Sequence, residues 1–252
     1  MQSAFSLEGR LVLITGGGTG LGLAMARAVV GAGGGVVITG RTEQALRAAC
    51  EAMGERARYI VSDVRDRSKL PALLSEIESR HGPIFGLVNN AGNHLKKPSL
   101  ETTDEEFLSV IDTHLLSGFA LARECARLMV ARNEGVILMI CSMSALFGLT
   151  DTPAYTAAKS ALYGLTRELA TEYSPRGVRV NAIIPGFIES RMLRDVFDRD
   201  PARERRVLAR TPMGKLGAPE DIGNAAAFLL SPAAKFITGT QLVVDGGMHI
   251  GF

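Results

Sequence analysis

Seven short apolar runs, set between longer segments of helical spacing, leave few folds open to this chain. The runs are Leu11 to Thr15, Val36 to Thr39, Tyr59 to Ser62, Leu87 to Asn89, Val136 to Cys141, Val178 to Ile184 and Leu242 to Val244. Each is continuous rather than alternating, as strands are when helices cover both faces of a parallel sheet. Between them, Leu21 to Gly31, Glu43 to Met53, Ser68 to Arg80, Asp104 to Ala131, Pro153 to Tyr173 and Pro219 to Leu230 read as helices. Repeated strand–helix order with right-handed crossovers predicts an α/β fold, a doubly wound parallel sheet of these seven strands with helices on both faces.

The 252 residues are 46% hydrophobic, with no compositional break and no repeat, so a single domain over residues 1–252 is expected. One stretch, Pro185 to Ala218, is irregular, with turn residues around a short, highly charged segment. It follows a strand end, where such sheets bind ligands, and residues 186–218 are expected to form a substrate lid. The 28 basic and 26 acidic residues leave a net charge of +2 and are dispersed, which gives no support to a nucleic-acid partner. Met1 to Gly9 lacks the charged-then-apolar pattern of a secretion signal. No apolar run approaches the roughly 18 residues that span a bilayer, so no membrane association is expected. Cys50, Cys125 and Cys141 are far apart and lack metal-ligand spacing; they read as reduced packing residues of a cytoplasmic protein without a metal site.

The first strand runs straight into Thr15-Gly16-Gly17-Gly18-Thr19-Gly20-Leu21-Gly22 and then an apolar helix. Glycines there let the backbone approach a pyrophosphate, while helix N–H groups and the dipole receive its charge. Gly16, Thr19, Gly20, Leu21 and Gly22 are therefore candidate cofactor contacts, although the spacing departs from G-x-G-x-x-G. At the end of the second strand an acidic residue would accept from the ribose hydroxyls of NAD. The chain instead has Thr39-Gly40-Arg41. Arg41 can hold a 2′-phosphate through a bidentate fork, which points to NADP(H); the plain alternative is a solvated arginine opening the next helix.

Tyr155 and Lys159 stand four apart on one predicted helix face. A lysine ammonium beside a phenol favours the phenolate, and a lowered tyrosine pKa suits proton exchange with a substrate oxygen. Ser142 lies thirteen residues before Tyr155, at the carboxyl end of the strand Val136 to Cys141. From there its hydroxyl can hydrogen-bond a substrate oxygen on which charge develops. Alone, the pair reads as an ordinary surface pair and the serine as a turn residue.

Taken together with Asp63-Val64 after the third strand and Asn89-Asn90-Ala91-Gly92 after the fourth, the pattern becomes specific. Asn181, Pro185-Gly186, Thr238-Gly239 and Asp245-Gly246-Gly247 extend it over nearly the whole length. The chain resembles the short-chain dehydrogenase/reductase family, with its Rossmann-type sheet. That resemblance implies that Asp63 and Val64 contact adenine and that Asn90, Ala91 and Gly92 line the cofactor cleft. It implies too that Pro185, Gly186 and Ile188 border the nicotinamide, that Lys159 bonds its ribose, and that Tyr155 and Lys159 both touch the cofactor. It further implies a homotetramer built on the segments Asp104 to Ala131 and Pro153 to Tyr173, with a dimer as the alternative.

One departure stands out: the family usually carries asparagine where this chain has His114. In the family that position's backbone carbonyl helps hold a water on the lysine's proton relay; a histidine packed between helices is the other reading. His94 lies beyond Gly92, where it lines the substrate cleft or sits in a loop. The segment Arg191 to Arg210 reads as a solvated helix face, a few of whose arginines an anionic substrate could exploit. The expected function is NADP(H)-dependent hydride transfer between the nicotinamide and a small-molecule carbonyl or secondary alcohol, with Ser142, Tyr155, Lys159 and His114 as candidate catalytic residues. Within that class the chain resembles 3-oxoacyl-carrier-protein reductases and gluconate-type sugar-acid dehydrogenases, and Asn93 to Pro98 favours the latter. A non-catalytic NADP-binding redox sensor on the same fold is the rival class.

Overall fold

The computed structural model describes residues 3–251. Seven strands form one sheet: β1 (Leu11–Thr15), β2 (Gly35–Gly40), β3 (Ala57–Val61), β4 (Ile84–Asn89), β5 (Gly135–Ile140), β6 (Val178–Pro185) and β7 (Gln241–Val244). Their order is β3-β2-β1-β4-β5-β6-β7, and every neighbouring pair is parallel. Successive side chains on a strand point to opposite faces, so continuous apolar runs feed two cores. Leu13, Val37, Leu87, Ile137, Met139 and Val180 enter one cluster, and Val12, Ile38, Val88, Leu138, Ile140 and Ile183 enter the other.

Three helices close each face. α1 (Gly20–Gly31), α2 (Glu43–Met53) and α9 (Pro219–Leu230) supply Met25, Leu46 and Ile222 to one core. On the opposite face lie α3 (Leu70–His81), α5 (Ser117–Ala131) and α6 (Pro153–Tyr173), with Leu74, Leu121 and Leu162. Gly223 of α9 sits where a Cβ would come within 2.7 Å of the Ala24 carbonyl oxygen, so its absence lets α9 lie close against α1. The strand order reverses beside β1, which places the ligand crevice beyond the carboxyl ends of β1, β4 and β5. Among the described residues, no helix is long and apolar enough to cross a membrane.

Three expectations are corrected. The fourth strand begins at Ile84 rather than Leu87, because Gly86 breaks the apolar run while staying in the sheet; a Cβ there would lie 2.8 Å from Leu230 Cδ2. The segment Asp104 to Ala131 is not one regular helix. α4 (Asp104–Ile111), which opens on a Thr103–Glu106 capping box, passes through a π-helical turn, Asp112–Leu116, into α5. That turn presents His114, and such insertions in a helix are frequent at functional sites. The stretch Pro185 to Ala218 is also more ordered than its turn residues suggest. It holds α7 (Arg191–Arg199) and α8 (Pro201–Arg210), capped by the side chains of Ser190 and Asp200 and each burying one apolar anchor, Phe197 or Val207.

Candidate active site

The glycine-rich turn is shaped by contacts that only glycine permits. Gly16 has φ +65° and Gly20 φ +53°, in the left-handed region. A Cβ on Gly22 would fall 2.1 Å from the Gly16 carbonyl oxygen. Gly20, in contrast, faces open space. The turn is braced from β4: the Thr15 hydroxyl accepts from the backbone N–H groups of Asn90 at 3.0 Å and Ala91 at 2.9 Å. Asn90 Nδ2 returns a bond to the Thr15 carbonyl oxygen at 2.9 Å. The Asn90 amide is thereby spent on the scaffold, while Ala91 and Gly92 line the cleft.

That cleft holds about 840 Å³ counted out to its mouth, and Gly16, Thr19, Arg41, Asp63, Val64 and Ala91 are among its walls. Leu21 and Gly22 lie in α1 behind it. Arg41 is exposed at the rim, and its side chain has no hydrogen-bond or ion-pair partner among the described residues. A backbone cradle for a pyrophosphate, an unpaired arginine and no acid at the end of β2 fit the shape and charge of NADP(H).

Beyond the carboxyl end of β5, the remaining groups converge. Ser142 is the first residue after Cys141, and its Oγ accepts from the Ser144 backbone N–H at 3.3 Å. Tyr155, the third residue of α6, is partly buried near Ser142. Burial raises the Tyr155 pKa and the Ser142 side chain opposes that rise. Lys159 is 4% exposed, donates to the Ile140 carbonyl oxygen at 2.6 Å, and holds its Nζ 5.5 Å from the Tyr155 ring centroid. Burial lowers the Lys159 pKa to about 8.

Two histidines frame the tyrosine. His94 stacks on its ring, centroids 4.9 Å apart and planes within 9°, and stays exposed. His114 meets it edge-on at 5.3 Å. His114 is 6% exposed, and its Nε2 lies 2.7 Å from the Asn93 carbonyl oxygen while Nδ1 has no partner. The short distance favours an Nε2–H that donates to that carbonyl. A Cβ on Gly92 would meet the imidazole at 2.1 Å, so ring and glycine are mutually fitted. Burial, reinforced by the Lys159 charge, lowers the His114 pKa to about 4. His114, Ser117, Asn89 and Lys159, with Val64, Ala91 and Leu162, also wall a small chamber with room for about one water molecule.

Pro185, Gly186 and Ile188 leave the neighbouring end of β6. Gly186 is packed so closely that a Cβ would lie 2.6 Å from Asp245 Cα, and Ile188 forms a bridge with Gly217. Sequence reasoning did not find the Thr15 brace, the cleft-lining Asn93 and Thr113, or Arg65 on the cleft wall. A threonine at the end of β1 was the only available sign of the brace.

A parallel doubly wound sheet with a glycine-rich dinucleotide cradle, and a partly buried tyrosine and buried lysine beside a serine at its carboxyl edge, defines a dinucleotide-linked oxidoreductase. The comparisons agree. Residues 16–249 match the family model described as enoyl-(acyl carrier protein) reductase. The 3-oxoacyl-(acyl-carrier-protein) reductase of Escherichia coli (strain K12) is 35% identical over 245 residues, 97% of this chain and 99% of that protein. Galactitol 2-dehydrogenase (L-tagatose-forming) of Cereibacter sphaeroides is 38% identical over 254 residues, 99% of this chain and 98% of that protein. A gluconate 5-dehydrogenase from Burkholderia cenocepacia J2315, solved with NADP and tartrate, superposes with a TM-score of 0.93 at 34% identity, covering 99% of this chain and 98% of that one. The chain belongs to the short-chain dehydrogenase/reductase family.

Proposed function

We propose that this NADP(H)-dependent oxidoreductase interconverts a ketone and a secondary alcohol on a substrate that carries a carboxylate. The observation that carries the reaction class is the convergence of Ser142, Tyr155 and Lys159 beside the dinucleotide cleft. Bound NADP(H) supplies or accepts the hydride at its nicotinamide. Ser142 and Tyr155 hold the substrate oxygen between them, and Tyr155 exchanges its phenolic proton with that oxygen. Lys159 keeps a positive charge in a dry site, where it lowers the cost of a Tyr155 phenolate once cofactor and substrate cover the cleft. The small chamber beside Lys159 gives a water a route to reload the proton. A redox sensor that only binds the cofactor has no need of this set.

The carboxylate is supported by the lid, residues 186–218 in this reading. On α8, Arg203, Val207 and Arg210 share one face. Val207 is buried and Arg210 lies 4.3 Å over the Phe147 ring, just beyond Ser142, so this face looks inward. The Arg203 side chain is half-buried on it with no hydrogen-bond or ion-pair partner among the described residues, near enough for its charge to act on His94. Lys159 and Lys96 act on the same imidazole in the same direction. An anionic substrate answers this surplus of positive charge, in keeping with relatives named as sugar-acid dehydrogenases. NADP⁺-linked oxidation of D-gluconate and of the uncharged polyol D-glucitol tests the reading. Arg203→Gln should raise KM for gluconate about tenfold or more and leave glucitol kinetics within about twofold. Equal effects on both substrates would remove the carboxylate from the proposal.

A further inference from the structure

The adenosine end of the cleft contains a second arginine that the glycine-rich turn and Arg41 leave without a role. Arg65 follows β3 and lines the same cleft as Gly40, Arg41 and Asp63. Its guanidinium is folded onto the Asp63 carboxylate: Nε donates to Oδ1 and to Oδ2 at 3.1 Å each, and Nη2 donates to Oδ2 at 2.6 Å. The Arg65 backbone N–H adds a bond to Oδ1 at 3.0 Å. Arg41, on the facing rim, acts on the same carboxylate through space. These bonds hold Asp63 near a pKa of about 2, so the group is an anion at any working pH.

The charge sum is simple. Arg41 and Asp63 alone would cancel, leaving a neutral rim with an unshielded carboxylate in the space that receives the far end of the cofactor. With Arg65 included the three groups sum to +1. A 2′-phosphate carries close to two negative charges, so it is the cofactor's most sensitive reporter of that difference.

We propose that Arg65 is a specificity-determining residue for NADP(H) over NAD(H), acting by masking the Asp63 carboxylate so that Arg41 presents an uncompensated positive charge to the 2′-phosphate. This rests on the NADP(H) reading, and its test separates the two. The chain contains no tryptophan, so NADPH and NADH affinities are read from the enhancement of nicotinamide emission with no competing indole signal and no turnover. Wild type, Arg65→Gln, Asp63→Asn and the double variant are compared. Arg65 is a half-exposed side chain, and its replacement leaves both cores intact.

Arg65→Gln should weaken NADPH about fivefold or more, with NADH changed by less than about twofold. The double variant should recover the wild-type NADPH-to-NADH ratio to within about twofold, because no carboxylate is left to mask. Equal loss of both cofactors, no loss, or a double variant as defective as Arg65→Gln would overturn the masking role. Equal NADPH and NADH affinities in the wild type would instead sink the NADP(H) reading before any variant is compared.

Discussion

His114→Asn tests whether the imidazole is a neutral brace or a titrating participant, and the structure sets the size of the answer. The ring is buried, its Nε2 is bound to the Asn93 carbonyl, and its pKa is lowered from 6.5 to about 4, chiefly by burial. The charged form is therefore excluded from the fold while the unfolded chain still accepts a proton at the ordinary value. Below about pH 6.5 the unfolded state binds more protons than the native one, so this group's stability is complete above that pH and is lost as pH falls towards 4. At 1.36 kcal/mol per pH unit the full loss is about 3 kcal/mol, of which about 2.5 kcal/mol is spent by about pH 4.5. Urea unfolding at about pH 7.5 and 4.5 should show that excess loss in the wild type and not in His114→Asn; comparing each protein with itself cancels the cost of the smaller side chain. The kcat/KM profile of the wild type should show no ionisation near 6.5 that the variant abolishes. Equal pH dependence of stability in the two proteins, or such an ionisation, would refute the neutral-brace reasoning.

Tyr155→Phe should cut kcat by about 10²-fold or more with NADPH affinity nearly intact, whereas Lys159→Ala should damage both; a Tyr155→Phe enzyme with ordinary activity defeats the mechanism. NADPH should bind more than about tenfold more tightly than NADH, and Gly40→Asp combined with Arg41→Ser should reverse that order in a fluorescence titration. Leu108 and Leu116, on α4 and the π-helical turn, are 60% and 45% exposed, apolar surface that a self-complementary interface would cover. Light scattering should therefore give a homotetramer of about 107 kDa, four times 26.8 kDa, and a 26.8 kDa particle at micromolar concentration rules the assembly out.

Much of the fold was legible because its strongest cues are local. Leu11–Thr15, Glu43–Met53, Pro153–Tyr173 and Pro219–Leu230 begin and end where apolar period and proline or glycine punctuation say they should. The Tyr155–Lys159 pair was equally legible, since four residues on a helix fix relative placement without reference to anything distant. The resemblance added what spacing cannot, the linkage of Ser142 and the glycine-rich turn to one site.

What the sequence by itself determined, then, was periodicity and residue type: a parallel doubly wound sheet, a dinucleotide turn, an arginine where NAD needs an acid, and the Ser142, Tyr155 and Lys159 set. Tertiary structure alone decided how those groups are charged and where their hydrogen bonds go. Lys159 donates a hydrogen bond to the Ile140 carbonyl nineteen residues away in sequence, and burial raises the Tyr155 pKa while Ser142 opposes that rise. His114 is neutral because the π-helical turn seats it against Gly92 and Asn93, and Arg65 is in the cleft because it folds back on Asp63. Desolvation and hydrogen-bond partnership depend on which distant backbone arrives within about 3 Å, and that is a property of packing rather than of neighbouring residues along the chain.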